Sequence, residues 1–207
     1  IFPITFLIGN FAINLFIIFF CLLFLTGLYK KKFNLKDHDK YTIYLLIFFL
    51  ISVIINLLFS NNFQLTLPRV LKFGLVIGSV LCFCQALISL DKSEQIKIYK
   101  IWSIIFAVVL FDIIFEIIFK SNIFGYSSMI PGRITSFSGD EMNIGHFFSA
   151  FSLIILSYLN TRNKNIYIIF FISLFFILIS FLVGERSNFL KTFLIIVFFI
   201  FIIHQIK

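Results

Sequence analysis

Ile166-Tyr167-Ile168-Ile169-Phe170-Phe171-Ile172-Ser173-Leu174-Phe175-Phe176-Ile177-Leu178-Ile179-Ser180-Phe181-Leu182-Val183 contains no charge, no glycine and no proline. A bilayer core needs a run of about 20 predominantly apolar residues to be crossed by a helix, and this run is close to that length. Polar turns bound it on both sides, Thr161-Arg162-Asn163-Lys164-Asn165 before it and Gly184-Glu185-Arg186-Ser187-Asn188 after it. Runs of the same kind recur over Phe11 to Tyr29, Tyr41 to Phe59, Arg69 to Leu90, Ile101 to Phe119, a span from near Asn143 to His146 as far as Leu159, and Phe189 to Ile206. Ile1 to Ile8 reads as the end of an earlier helix, with Gly9-Asn10 as a turn. The fold class is therefore all-α, a polytopic transmembrane helix bundle of about seven complete spans plus a partial N-terminal one.

Composition supports this. The chain is 61% hydrophobic and 13% charged, its mean hydropathy is +1.10, and a soluble core of 207 residues could not hide 33 phenylalanines. Residues 1–207 read as a single transmembrane domain, the N-terminal portion of a larger protein: the sequence opens Ile1-Phe2-Pro3 and stops at Lys207 directly after an apolar run.

A net charge of +8 would suggest nucleic acid in a soluble protein. Here lysines gather in short connections, Lys30, Lys31, Lys32, Lys36 and Lys40 in one and Lys92, Lys97 and Lys100 in Asp91 to Lys100, as the positive-inside tendency requires of cytoplasmic loops. No nucleic-acid partner is expected. That orientation places Ser60-Asn61-Asn62-Phe63-Gln64, a loop over 120–145 and a turn over 184–188 on the external face. Cys21, Cys82 and Cys84 lie in apolar runs without His or acidic neighbours at ligand spacing, so they read as small core residues. Neither a metal nor a cofactor is expected.

The external loop contains the longest polar interruption, Pro131-Gly132-Arg133-Ile134-Thr135-Ser136-Phe137-Ser138-Gly139-Asp140-Glu141-Met142-Asn143-Ile144-Gly145-His146. Lysine outnumbers arginine 13 to 4 in this chain, yet Arg69, Arg133 and Arg186 all fall at the external face, with Lys72, Lys120 and Lys191 near it. A planar, permanently charged guanidinium suits bidentate contact with phosphate. Arg133 and Arg186 are the candidate phosphate or pyrophosphate ligands, against the plainer reading of snorkelling or salt-bridged loop charges. Asp140, Glu141, Asn143 and Glu185 are the candidate orienting groups, and Arg69 and Lys72 are candidate substrate contacts.

Asp112 and Glu116 stand four apart on one span, share a face and are costly in hydrocarbon, so that face must look into the bundle. The pair could serve as a proton relay, or meet Arg69, Lys72 or Lys120 around a polar ligand. His146 is the candidate general base by its ordinary titration range; its plainer role is that of an interfacial residue at a helix start.

The run Gly132 to Gly145 resembles the Arg, Gly-Phe, Asn and small-residue pattern of the bacterial O-antigen ligase and O-antigen polymerase superfamily, and Gly184-Glu185-Arg186-Ser187 resembles its Ser-Arg element. Pro3 to Gly9 is similar to that family's N-terminal hairpin, and Asn122 to Tyr126 to the segment entering its first conserved loop. Glu185 stands where Ser or Gly is more usual, and Met142 where proline is common.

The resemblance implies an inner-membrane enzyme with a periplasmic site. It would catalyse inverting, metal-independent transfer of a glycan from an undecaprenyl-pyrophosphate donor to a hydroxyl on lipid A core or another glycan. It also implies a large loop downstream of the arginine turn that carries the base. The alternatives are a proton-coupled transporter or flippase of lipid-linked or anionic solutes, and a scaffold subunit of a glycan-assembly complex.

Overall fold

The computed structural model describes residues 2–30, 40–128, 130, 132–138, 144–162 and 165–206. Among these residues the chain forms eight α-helices and no strand. They are α1 (Phe2–Ile8), α2 (Asn10–Tyr29), α3 (Lys40–Leu58), α4 (Phe63–Ile88), α5 (Lys92–Phe119), α6 (Ile144–Arg162), α7 (Ile166–Leu182) and α8 (Arg186–Ile206), with a single 3-10 turn over Ser136–Ser138. Five of them, α2, α4, α5, α6 and α8, are long and apolar enough to cross a membrane. The chain is thus a multi-pass, all-helical membrane protein.

Helix ends follow the expected breaks closely, with three informative differences. The segment Asp91 to Lys100, expected as a loop, is helical from Lys92 on, so Lys92, Lys97 and Lys100 ride on α5. Its start is a reciprocal cap: the Asp91 backbone N–H donates to Glu94 Oε2 at 3.3 Å, and the Glu94 N–H donates to the Asp91 carbonyl at 2.9 Å. α4 begins at Phe63 rather than near Arg69, and carries Pro68 in its second turn. There the missing N–H leaves only the Gln64 carbonyl without its helical donor. The turn after α7 is shorter than expected, because Arg186 is already the first residue of α8.

The chain forms two compact units. One comprises Ile13–Gln95. In it α3 packs on α4, and the Cys21 and Phe24 side chains of α2 pack on α4 at Gly78. A Cβ added at Gly78 would lie 3.1 Å from Cys21 Sγ, and Phe83 stands edge-on to Phe20 with ring centroids 5.8 Å apart. Close packing of this kind matters in lipid, where tails are as apolar as side chains and packing must supply what the hydrophobic effect supplies in water.

The other unit comprises Ile1–Ala12 and Ile96–Lys207, and α6 is its centre, packed against α1, α7 and α8. Half of α6's apolar window is buried, more than in any other span-length helix. Phe147, Phe148 and Phe151 of α6 are fully buried and close an aromatic cluster with Phe106 and Trp102 of α5 and Phe176 of α7. Where α6 meets α7 and α8, small polar residues (Ser152, Ser173, Thr192) are wholly buried. Thr192 and Ser152 return their hydroxyls to carbonyls of their own helices, the usual way a hydroxyl is satisfied in a membrane helix.

Candidate functional site

α5 and α7 end, and α6 and α8 begin, around the polar loop, and four sets of hydrogen bonds order the loop and these helix ends. The first uses the two acids of α5. Asp112 is 0% exposed and Glu116 3%. Asp112 Oδ1 accepts the Ile123 N–H at 2.8 Å and Oδ2 accepts the Ser136 hydroxyl at 2.5 Å. Glu116 Oε2 accepts the Ser136 N–H at 2.6 Å, and Oε1 accepts the Thr135 N–H at 3.3 Å. The acids expected to serve as a relay or to meet cations are thus directed to loop amides. A buried carboxylate needs such donors, since an unpartnered charge in this position would cost several kcal/mol.

The second set centres on Asn122. Its Nδ2 donates to the Ser136 carbonyl at 3.0 Å, while its Oδ1 accepts the N–H groups of Phe124 and Tyr126 at 3.1 and 2.9 Å. Ser136 is thereby held by its amide, hydroxyl and carbonyl at once, which explains how it keeps a left-handed φ of 48°. The third is the Ile134 N–H on the Val183 carbonyl at 3.2 Å, tying the loop to the end of α7.

The fourth set belongs to Glu185. Its carboxylate accepts the Gly145 N–H at 3.4 Å and the Asn188 side-chain amide, and Asn188 Oδ1 in turn accepts Lys191 Nζ at 3.2 Å. Glu185 therefore places negative charge at the amino ends of both α6 and α8, where the helix dipole favours it. A Cβ on Gly145 would collide with that carboxylate, and one on Gly184, itself at φ +82°, would collide with the Gly132 carbonyl. Only glycine permits both approaches.

These ties bring the two polar stretches together. Gly132, Arg133, Gly184, Glu185, Arg186 and Ser187 line one cleft of about 610 Å³. Arg133 and Arg186 are exposed along it, and Glu185 is buried beneath. A second cleft of about 310 Å³ also has Arg133 in its wall, together with Lys120, Ser127, Ser128, Ile117 and Leu182. Lys120 follows the last turn of α5 with φ +63°, a backbone state that costs a lysine roughly 1 kcal/mol more than a glycine.

The other expected site residues fall elsewhere. Arg69 and Lys72 are exposed on α4, in the unit formed by Ile13–Gln95. His146 is exposed in the first turn of α6 and lines neither cleft. Asp140, Glu141 and Asn143 lie outside the described residues. Among the described residues no group of three His, Cys, Asp or Glu side chains could hold a metal ion.

Three residues that the sequence did not single out carry the site: Asn122, Ser136 and Asn188. The spacing Asn122-x-Phe124-x-Tyr126 fits an asparagine-capped turn, but its third bond, to Ser136, depends on tertiary approach. Neither family models, curated proteins nor solved structures compared with the chain match it.

Proposed function

We propose that the chain transfers a glycan from an undecaprenyl-pyrophosphate donor to a hydroxyl of lipid A core or of another glycan, as an O-antigen ligase or polymerase does. In this reading all seven complete apolar helices, including α3 and the shorter α7, span the bacterial inner membrane within a single transmembrane domain, and the site faces the periplasm. The observation that supports it is the shared cleft of Arg133 and Arg186, two guanidinium groups delivered by the polar loop and by the start of α8 to one space of about 610 Å³.

The acceptor oxygen attacks the anomeric carbon, the bond from that carbon to the pyrophosphate oxygen breaks, and the electron pair leaves with the lipid pyrophosphate. Two fixed positive charges at that oxygen stabilise the charge as it develops and exchange no proton in doing so. Configuration inverts because attack is from the face opposite the leaving group. The acceptor proton goes to a base, which the family resemblance puts in a loop downstream of the Arg186 turn.

Asp112 and Glu116 support this reading over the transporter. A relay carboxylate must exchange its proton with passing solvent or substrate, whereas these two accept from the loop's own amides and hydroxyl. The test is made in the full-length gene: Arg133→Ala and Arg186→Ala each abolish surface glycan assembly while protein levels in the membrane stay normal. Unchanged surface glycan in both variants would sink the proposal.

A further inference from the structure

We infer that the cleft between Lys120 and Arg133 is a second anion subsite, which takes a negatively charged sugar of the acceptor glycan. The inference rests on the transferase reading, because it assigns the acceptor to the side of Arg133 away from Arg186. The cleft is about 310 Å³ and is bounded by Lys120, Arg133 and the serines Ser127 and Ser128, with Ile117 and Leu182 as apolar walls. Small-molecule sites begin at about this size. Two cations set the charge of the occupant. Hydroxyl side chains match a polyhydroxylated ring, and apolar walls match its C–H faces.

Two further observations bear on the charge of the cleft. Glu116 also borders the cleft and would repel an anion there, yet its two oxygens are turned to the Thr135 and Ser136 amides. Lys120 takes the left-handed position that closes α5, its N–H bonded to the Glu116 carbonyl at 2.9 Å, and its side chain lines the cleft. Arg133 lies in the walls of both clefts, which puts a group bound in the smaller one beside the site proposed for the pyrophosphate.

Full-length protein in lipid nanodiscs is titrated calorimetrically with glucose 6-phosphate and, separately, with farnesyl pyrophosphate. Lys120→Gly, which keeps the backbone conformation at φ +63° accessible, is expected to weaken glucose 6-phosphate about tenfold and to leave farnesyl pyrophosphate within about twofold. Arg186→Ala should do the reverse, and Arg133→Ala should weaken both. The melting temperature of Lys120→Gly should equal or exceed that of the wild type, so lost binding would not reflect lost fold. No binding of glucose 6-phosphate to the wild type, equal binding of glucose or inorganic phosphate, or an unchanged affinity in Lys120→Gly would each overturn the inference. If farnesyl pyrophosphate fails to bind while the sugar phosphate binds and depends on Lys120, the subsite stands and the pyrophosphate reading falls.

Discussion

Glu116 and Ser136 meet through the loop's backbone: the buried carboxylate of one accepts the amide N–H of the other at 2.6 Å, and Ser136 holds φ +48° there. Arg133 is three residues upstream on the same strand of loop, so its direction depends on this anchor. Glu116→Ala would leave the Thr135 and Ser136 amides without acceptors, at about 1–3 kcal/mol each. Glu116→Gln, which keeps one carbonyl acceptor, should lose less. Thermal unfolding in detergent should rank wild type above Gln above Ala, and proteolysis over residues 120–143 should rise in the same order.

Asp112→Asn separates a clamp from a proton relay. A clamp with an amide in place of the acid keeps one acceptor for the Ile123 N–H and loses the charge-assisted bond from the Ser136 hydroxyl, a stability loss of about 1.5–3 kcal/mol. Glycan assembly should fall in proportion to folded protein. Proton-coupled uptake of an anionic solute that vanishes in Asp112→Asn at unchanged folded level would favour transport instead.

Gly145 and Gly74 form a matched pair on two helices. Alanine at Gly145 drives a methyl into the Glu185 carboxylate and the Asn188 amide, whereas at Gly74 nothing lies within 4 Å. Gly145→Ala should cost about 1–3 kcal/mol through forced displacement, and Gly74→Ala should be neutral or stabilising by up to about 1 kcal/mol from helix propensity. Equal melting temperatures for the two variants would contradict the packing described at Glu185.

Gly184→Ala tests the meeting of loop and turn. Strain at φ +82° and the clash with the Gly132 carbonyl act together, so a loss of at least about 2 kcal/mol is expected, with the Arg133–Arg186 cleft deformed. A crystallographic or cryo-electron-microscopic comparison of variant and wild type should show Ile134 N drawn away from Val183 O, which are 3.2 Å apart in the wild type.

What the sequence determined by itself is the helical membrane fold and the position of most helix ends. Uncharged runs such as Asn10–Tyr29 must satisfy their backbone hydrogen bonds internally in lipid, and only a helix does that within one segment. The breaks between them fall at turn-forming or charged residues that hydrocarbon excludes. The start of α5 departs from the expected loop because the Asp91–Glu94 cap carries the helix through lysines that would equally suit a cytoplasmic connection.

Sequence also marked Arg133 and Arg186 as external guanidinium groups suited to phosphate, and Asp112 and Glu116 as acids whose cost in a membrane calls for a partner. Which partner each acid takes was decided only by tertiary structure. A helix face constrains neighbours four residues apart, but the amides of Ile123, Thr135 and Ser136 reach Asp112 and Glu116 only because the loop folds back over the end of α5. The shared cleft of the two arginines has the same origin. It exists because Gly184 lets its backbone touch the Gly132 carbonyl, a contact set by three-dimensional approach that no local pattern of residues encodes.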